Sequence, residues 1–206
     1  MRFKGRRLCA ILSPASTLKM PKRLILGSLL LGCLSLGWAS FSEYRTEDPG
    51  FSMRFQYPKG WKIQREEGRI ERYQLVRVLG PRNSEGSYSC YLSIVGMPLK
   101  PGGGKFESLG EFIQDYREHL PSGTTLEQEG KAKVGGGQEA VDLTFSYVVP
   151  PLHKPGLKPL EIPVRSRILL FQKGTLLYRI TYSADAREYD RHAGAMEKLI
   201  QSLRFK

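Results

Sequence analysis

From Phe51 to Tyr57 apolar and polar positions alternate, with Phe51, Met53, Phe55 and Tyr57 on one face, and Pro58-Lys59-Gly60-Trp61 then turns the chain. This spacing predicts a half-buried strand, because successive strand side chains point to opposite faces. Two β-rich runs, Tyr73 to Leu79 and Tyr88 to Val95, flank a loop from Gly80 to Gly86 and predict an antiparallel pair. The acidic pair Glu66-Glu67 falls in a polar stretch ahead of them, expected to be a solvated loop. The period then changes. Leu109, Phe112, Ile113, Tyr116 and Leu120 recur at helical spacing, Ser108 followed by Glu111 predicts a capping box, and Pro121-Ser122-Gly123 ends the helix. Thr124 to Val134 reads as a polar strand and Gln138 to Val149 as a buried one, with Gly135-Gly136-Gly137 turning between them. A last hairpin runs from Val164 to Phe171, turns at Lys173-Gly174 and returns through Thr175 to Ser183. Tyr189, Met196, Leu199, Ile200 and Leu203 then line one face of a closing helix. Between the buried strand and this hairpin, Pro150 to Leu160 holds four prolines, which forbid regular pairing and predict a projecting loop suited to partner contact. Strands, helix, strands, helix, with no repeat and no βαβ alternation, predict an α+β fold with a mainly antiparallel sheet flanked by helices.

One segment does not belong to that fold. The apolar run 24–38 follows Lys22-Arg23 and ends at Ala39-Ser40, the build of a secretory signal cleaved after Ala39. Two other fates stay open. Leu30-Leu31-Gly32-Cys33 resembles a lipobox, which would acylate Cys33 and tether the protein to a membrane. An uncleaved anchor is the other, although the run is shorter than the roughly 20 residues that cross a bilayer. Met20 opens a compact signal of its own, so Met1 and Met20 both stand as starts. Residues 1–39 are therefore expected to be a signal or membrane segment and residues 40–206 a single domain. Of the three cysteines, Cys9, Cys33 and Cys90, cleavage leaves only Cys90, which alternates with Tyr88, Leu92 and Ile94 as a small buried hydrophobe would.

The net charge of +12 first suggests nucleic acid, but its distribution removes the suggestion. Residues 1–39 hold seven of the 32 Lys and Arg and no acid, leaving 25 basic against 20 acidic side chains, a net of +5 without long runs of one sign. No basic stripe with interleaved aromatics appears in residues 40–206, so no nucleic-acid partner is expected. The triple glycines at 102–104 and 135–137 lack the Lys-Ser/Thr and the strand-to-helix setting of a phosphate loop and read as turns. His119, His153 and His192 show no metal-ligand spacing, and Gly-x-Ser-x-Gly is absent. No catalytic residue, metal site or cofactor is expected, weak surface metal binding and oligomeric state being left open.

Arg165, Arg167 and Arg179 interrupt otherwise apolar strands of the last hairpin, and Arg165 and Arg167 share a face. They are the candidate site for an anion or a partner. The competing reading is a solvated face on which each arginine pairs with nearby acids.

The opening Phe51-x-Met53-x-Phe55-x-Tyr57-Pro58-x-Gly60-Trp61 resembles that of PsbP-like domains. The ending is similar too: Leu177-Tyr178-Arg179-Ile180-Thr181-Tyr182, a short acidic linker, a helix and Ser202-Leu203-Arg204-Phe205. The resemblance spans about residues 49–206. It implies an α/β/α sandwich and a mostly noncatalytic family of partner-binding proteins, among them the extrinsic photosystem II protein, a Ran-binding protein and bacterial envelope proteins. It supplies no catalytic residue, and the proline-rich segment 150–160 departs from it. The expectation is an exported noncatalytic binding or assembly-accessory protein of the bacterial cell envelope, periplasmic or membrane-tethered, with an envelope protein as partner. The alternatives are a small-ligand carrier or enzyme with a cleft near Arg165, Arg167 and Arg179, and a photosynthetic accessory protein.

Overall fold

A computed structural model describes residues 40–48, 50–67, 73–83, 86–149 and 161–206. The signal segment 1–39 with Cys33, and the proline-rich segment 150–160, lie outside the described residues. The described chain runs through β1 (Phe41–Thr46), β2 (Met53–Pro58), β3 (Lys62–Glu67), β4 (Gln74–Leu79), β5 (Cys90–Pro98) and α1 (Leu109–Glu118). It continues through β6 (Thr125–Val134), β7 (Gln138–Val149), β8 (Ile162–Lys173), β9 (Leu176–Asp185), α2 (Tyr189–Ser202) and β10 (Arg204–Phe205). Seven strands form an antiparallel sheet in the order β3-β4-β5-β9-β8-β7-β6, and β1-β2-β10 form a second, smaller one.

The unbroken apolar run Ile168-Leu169-Leu170-Phe171 in β8 is buried at every position, as a strand must be when both faces of its sheet are covered. The helices cover opposite faces. On one, Met196, Leu199 and Ile200 of α2 join Leu169, Phe171, Ile180 and Tyr182 in the larger core, which also takes in Phe51, Met53 and Phe55 of the small sheet and the segment before it. On the other, Phe112 of α1 joins Phe106, Leu143, Ile168, Leu170 and Leu177. The expected α+β sandwich is therefore found.

Local chemistry sets the details. Ser108 caps α1, its Oγ accepting from the Glu111 N–H at 3.2 Å, while the Glu111 carboxylate accepts from Glu107 N at 2.7 Å instead of from the cap residue's own N–H. Tyr182 donates its buried hydroxyl to the Tyr189 carbonyl at 2.6 Å and so ties β9 to the first turn of α2. Gly96 lets the Phe51 ring lie on the backbone of β5, because a Cβ there would meet Phe51 Cε2 at 2.3 Å. Cys90 is buried in the larger core, and that burial pushes its thiol up to about 11.

Two expectations are corrected. Glu66-Glu67 is the end of strand β3, where Glu66 accepts from Arg77 of β4 at 2.7 Å across the ladder. The hairpin turns at Gly174-Thr175, one residue later than expected. Strands β1, β3 and β10 add to the elements read from the pattern.

Candidate functional site

The α1 face of the large sheet is only partly covered. Helix α1 lies over Leu143, Ile168, Leu170 and Leu177, and beyond it four positions that would carry core side chains are small hydroxyl residues. Ser93 of β5 stands opposite Thr181 of β9, and Ser183 of β9 opposite Ser166 of β8. On the other face of the same strands the positions belong to Leu92, Ile180 and Tyr182, all fully buried. The missing volume appears as a trough of about 450 Å³. Ser166 and Ser183 close its floor with a hydroxyl pair at 2.6 Å.

Tyrosines form its walls: Tyr91 from β5, Tyr147 from β7 and Tyr116 from α1. Burial pushes the Tyr116 phenol up to about 12, against a smaller pull from the neighbouring Arg179 guanidinium, and it raises Tyr147 as well. Both are neutral donors at pH 7. Two arginines complete the lining, which contains no carboxylate. Arg77 is held at the rim by Glu66. Arg179 lies with its guanidinium 5.7 Å from the centre of the Tyr116 ring, and its buried Nε has no hydrogen-bond partner among the described residues. The trough opens at one end into a hollow of about 770 Å³ that shares Tyr91, Tyr147 and Ser183, and at the other into one of about 300 Å³ that shares Arg77, Tyr116 and Arg179.

The three arginines expected to edge one cleft are separated by the sheet. Arg165 and Arg167 pair in register with Ala184 and Tyr182 and lie on the α2 face, whereas Arg179 pairs with Leu170 and faces α1. The expected cleft near all three is therefore not formed. On the α2 face the two arginines are engaged by acids of their own chain. Arg165 donates Nε to Glu127 at 2.7 Å and lies 4.7 Å from the centre of the Tyr189 ring. Arg167 grips Asp142 through Nε at 3.0 Å and Nη2 at 2.8 Å and also donates to Glu197. Those bonds to Asp142, more than they lose to burial, hold its guanidinium firmly protonated.

Arg167→Met is accordingly expected to cost about 1–3 kcal/mol by urea unfolding, because it strands the Asp142 carboxylate in a half-buried site. Adding Asp142→Leu should return most of that loss. A single variant as stable as the parent would show that the pair is dispensable.

The trough-lining hydroxyls were not among the expected site residues. Their signal in the chain is the period-two series Arg179-x-Thr181-x-Ser183, polar on one face of a strand whose other face is apolar. Among the described residues no three His, Cys, Asp or Glu side chains gather as a metal site, and no helix is long and apolar enough to cross a membrane.

No family model matches the chain, and no curated protein does. Among solved structures it is similar to a protein of Bacteroides thetaiotaomicron VPI-5482, at 13% identity and a TM-score of 0.46 over 80% of this chain, and it spans only 48% of that one. It is similar to cyanobacterial PsbP (CyanoP) from Synechocystis sp. PCC 6803, at 17% identity and a TM-score of 0.48, over 86% of this chain and 99% of that one. It is also similar to LpqN of Mycobacterium tuberculosis, described as involved in cell envelope biogenesis, at 15% identity and a TM-score of 0.43, over 81% of this chain and 91% of that one. One of the three is thus a PsbP protein, from the family that the opening and closing segments resemble.

Proposed function

We propose that this chain is an exported, noncatalytic binding protein of the bacterial cell envelope, and that the trough on the α1 face is its binding site. The observation that carries the reading is the trough itself: small hydroxyls where core residues belong, tyrosine walls, and an arginine, Arg179, whose buried Nε has no hydrogen-bond partner among the described residues. A pocket of a few hundred Å³ with an apolar body and a few convergent polar groups is the usual form of a ligand site. Its chemistry favours holding over reacting. The two serines bond to each other rather than to a base, and phenols raised by burial stay protonated at neutral pH. Export is supported by Lys22-Arg23, the apolar run 24–38 and the small residues before Ser40.

Two measurements test this. The protein recovered from the host's envelope fractions is expected to begin at Ser40, or at an acylated Cys33; a full-length chain confined to the cytoplasm would remove export. A photo-crosslinking residue placed at Tyr91 in living cells is expected to give an adduct visible in the intact mass, and the same residue at Gln201, exposed on α2, to give none. Adducts at neither position, or equally at both, would remove the trough as the site.

A further inference from the structure

We propose that the trough takes a small ligand carrying an oxyanion, a carboxylate or a phosphate, on a flat ring body, with Arg179 as the anchoring cation. The inference rests on the trough being the binding site and adds the class of its occupant.

Arg179 is the reason for the charge. It projects from the middle of β9, between Val95 and Leu170 on the neighbouring strands, and no described carboxylate forms an ion pair with it. That sets it apart from Arg77, Arg165 and Arg167, each of which has an acid. A guanidinium partly removed from water without a counter-charge is costly, and the cost is relieved when an anion occupies the fork. Guanidinium geometry matches the two oxygens of a carboxylate or phosphate. The lining around it adds Arg77 and no acid, so nothing in the central trough repels an anion.

The walls are the reason for the ring. Tyr91, Tyr116 and Tyr147 present aromatic surface around a space of about 450 Å³, room for a single ring with substituents and too little for a folded protein segment. Thr181 follows Arg179 on the same face of β9, about 6.6 Å further along the strand. That is close to the span of a substituted six-membered ring. With its oxyanion on Arg179, such a ring would lie along the tyrosines and turn its far end toward the Thr181 and Ser93 hydroxyls.

The test uses the processed protein purified from the envelope and three probes of one shape: benzoate, phenyl phosphate and neutral benzyl alcohol. At least one anion is expected to bind in calorimetry with a dissociation constant of about 1 mM or tighter, and benzyl alcohol roughly tenfold more weakly. Whether benzoate or phenyl phosphate binds better distinguishes a carboxylate from a phosphate ligand, and either result supports the proposal. Arg179→Gln should weaken the preferred anion roughly tenfold or more and leave benzyl alcohol unchanged. It removes a charge that no described carboxylate pairs, so it should fold. Should it not, backbone amide shifts of the parent protein serve instead, expected to move on benzoate addition at Ser93, Arg179 and Thr181. Neither anion binding at about 20 mM, benzyl alcohol binding as well as both, full affinity in Arg179→Gln, or shifts confined elsewhere would each overturn the inference. If the anions fail while Tyr91 still forms its specific adduct, the binding-site reading stands and only the ligand class falls.

Discussion

Phe171→Ala is expected to lower the unfolding free energy by about 3–5 kcal/mol, the range for emptying a buried aromatic site. Phe171 is 0% exposed near the hairpin end of β8. Its ring stacks on Tyr178 with centroids 5.2 Å apart and meets the edge of Phe205 at 5.8 Å. The cavity cannot close easily, because Phe171 and Tyr178 are register partners held by the β8–β9 ladder and α2 fixes the layer above. The local effect should be as informative as the global one. Phe205 belongs to the two-residue strand β10, which pairs with Arg54 and Met53 of β2 and whose ring packs on Phe171 and Tyr178. Loss of the Phe171 ring should therefore free the chain end first, seen as faster amide exchange at Phe205, while Phe171→Leu should cost under about 2 kcal/mol. A loss below about 1 kcal/mol for Phe171→Ala would mean that the two sheets do not share one core.

The same contacts show what a reading of the chain reaches. Period two marks β2, β4, β5 and the strands from β7 to β9, and period 3.6 marks α1 and α2, because each of these buries one face or two; β6, exposed along most of its length, is read only as a polar strand ahead of the Gly135-Gly136-Gly137 turn. Strand β3, Lys-Ile-Gln-Arg-Glu-Glu, has one apolar residue. It sits at the sheet edge and is held by its ladder and the Glu66–Arg77 ion pair, so no hydrophobic pattern announces it. Strand β1 is largely exposed and follows the apolar run directly, and β10 exists only because β2 lies beside it. These are tertiary facts.

The site divides differently. The separation of the arginines is legible in the hairpin itself: a two-residue turn makes partner numbers sum to an odd value, as in Lys173 opposite Leu176. An odd-numbered residue on β9 therefore faces with even-numbered ones on β8. Arg179 must then leave the face of Arg165 and Arg167 and join Ser166 and Ile168. What the pattern does not carry is the trough's emptiness. That depends on how far α1 extends over Leu170 and Ile168, and on Ser93 being brought beside Thr181 from a strand far away in the chain.

Alkaline unfolding is the second large effect expected. Burial pushes the Tyr116 and Tyr178 phenols up to about 12, and that of Tyr182 further. It raises the Cys90 thiol to about 11. The neutral forms are the ones the fold favours, so the phenols contribute their full stability below their unfolded value of about 10, and the thiol contributes its own below its unfolded value of about 9. Above these values the unfolded chain loses protons that the folded chain keeps, and stability falls steadily until the folded values are reached near pH 12. For Tyr116 and Tyr178 a shift of about two units each corresponds to on the order of 5 kcal/mol together, a large share of the 5–15 kcal/mol typical of a domain. Urea unfolding should give nearly constant stability from pH 7 to 9 and a steep decline between pH 10 and 12. Lysine deprotonation falls in the same window, and Tyr178→Phe separates the two causes: it keeps the ring against Phe171 and Phe51 and removes one ionisable phenol. That variant should lose about 2–3 kcal/mol less than the parent between pH 9 and 12. An equal decline in both proteins would mean that the Tyr178 hydroxyl reaches water and that the ring alone is what the core holds.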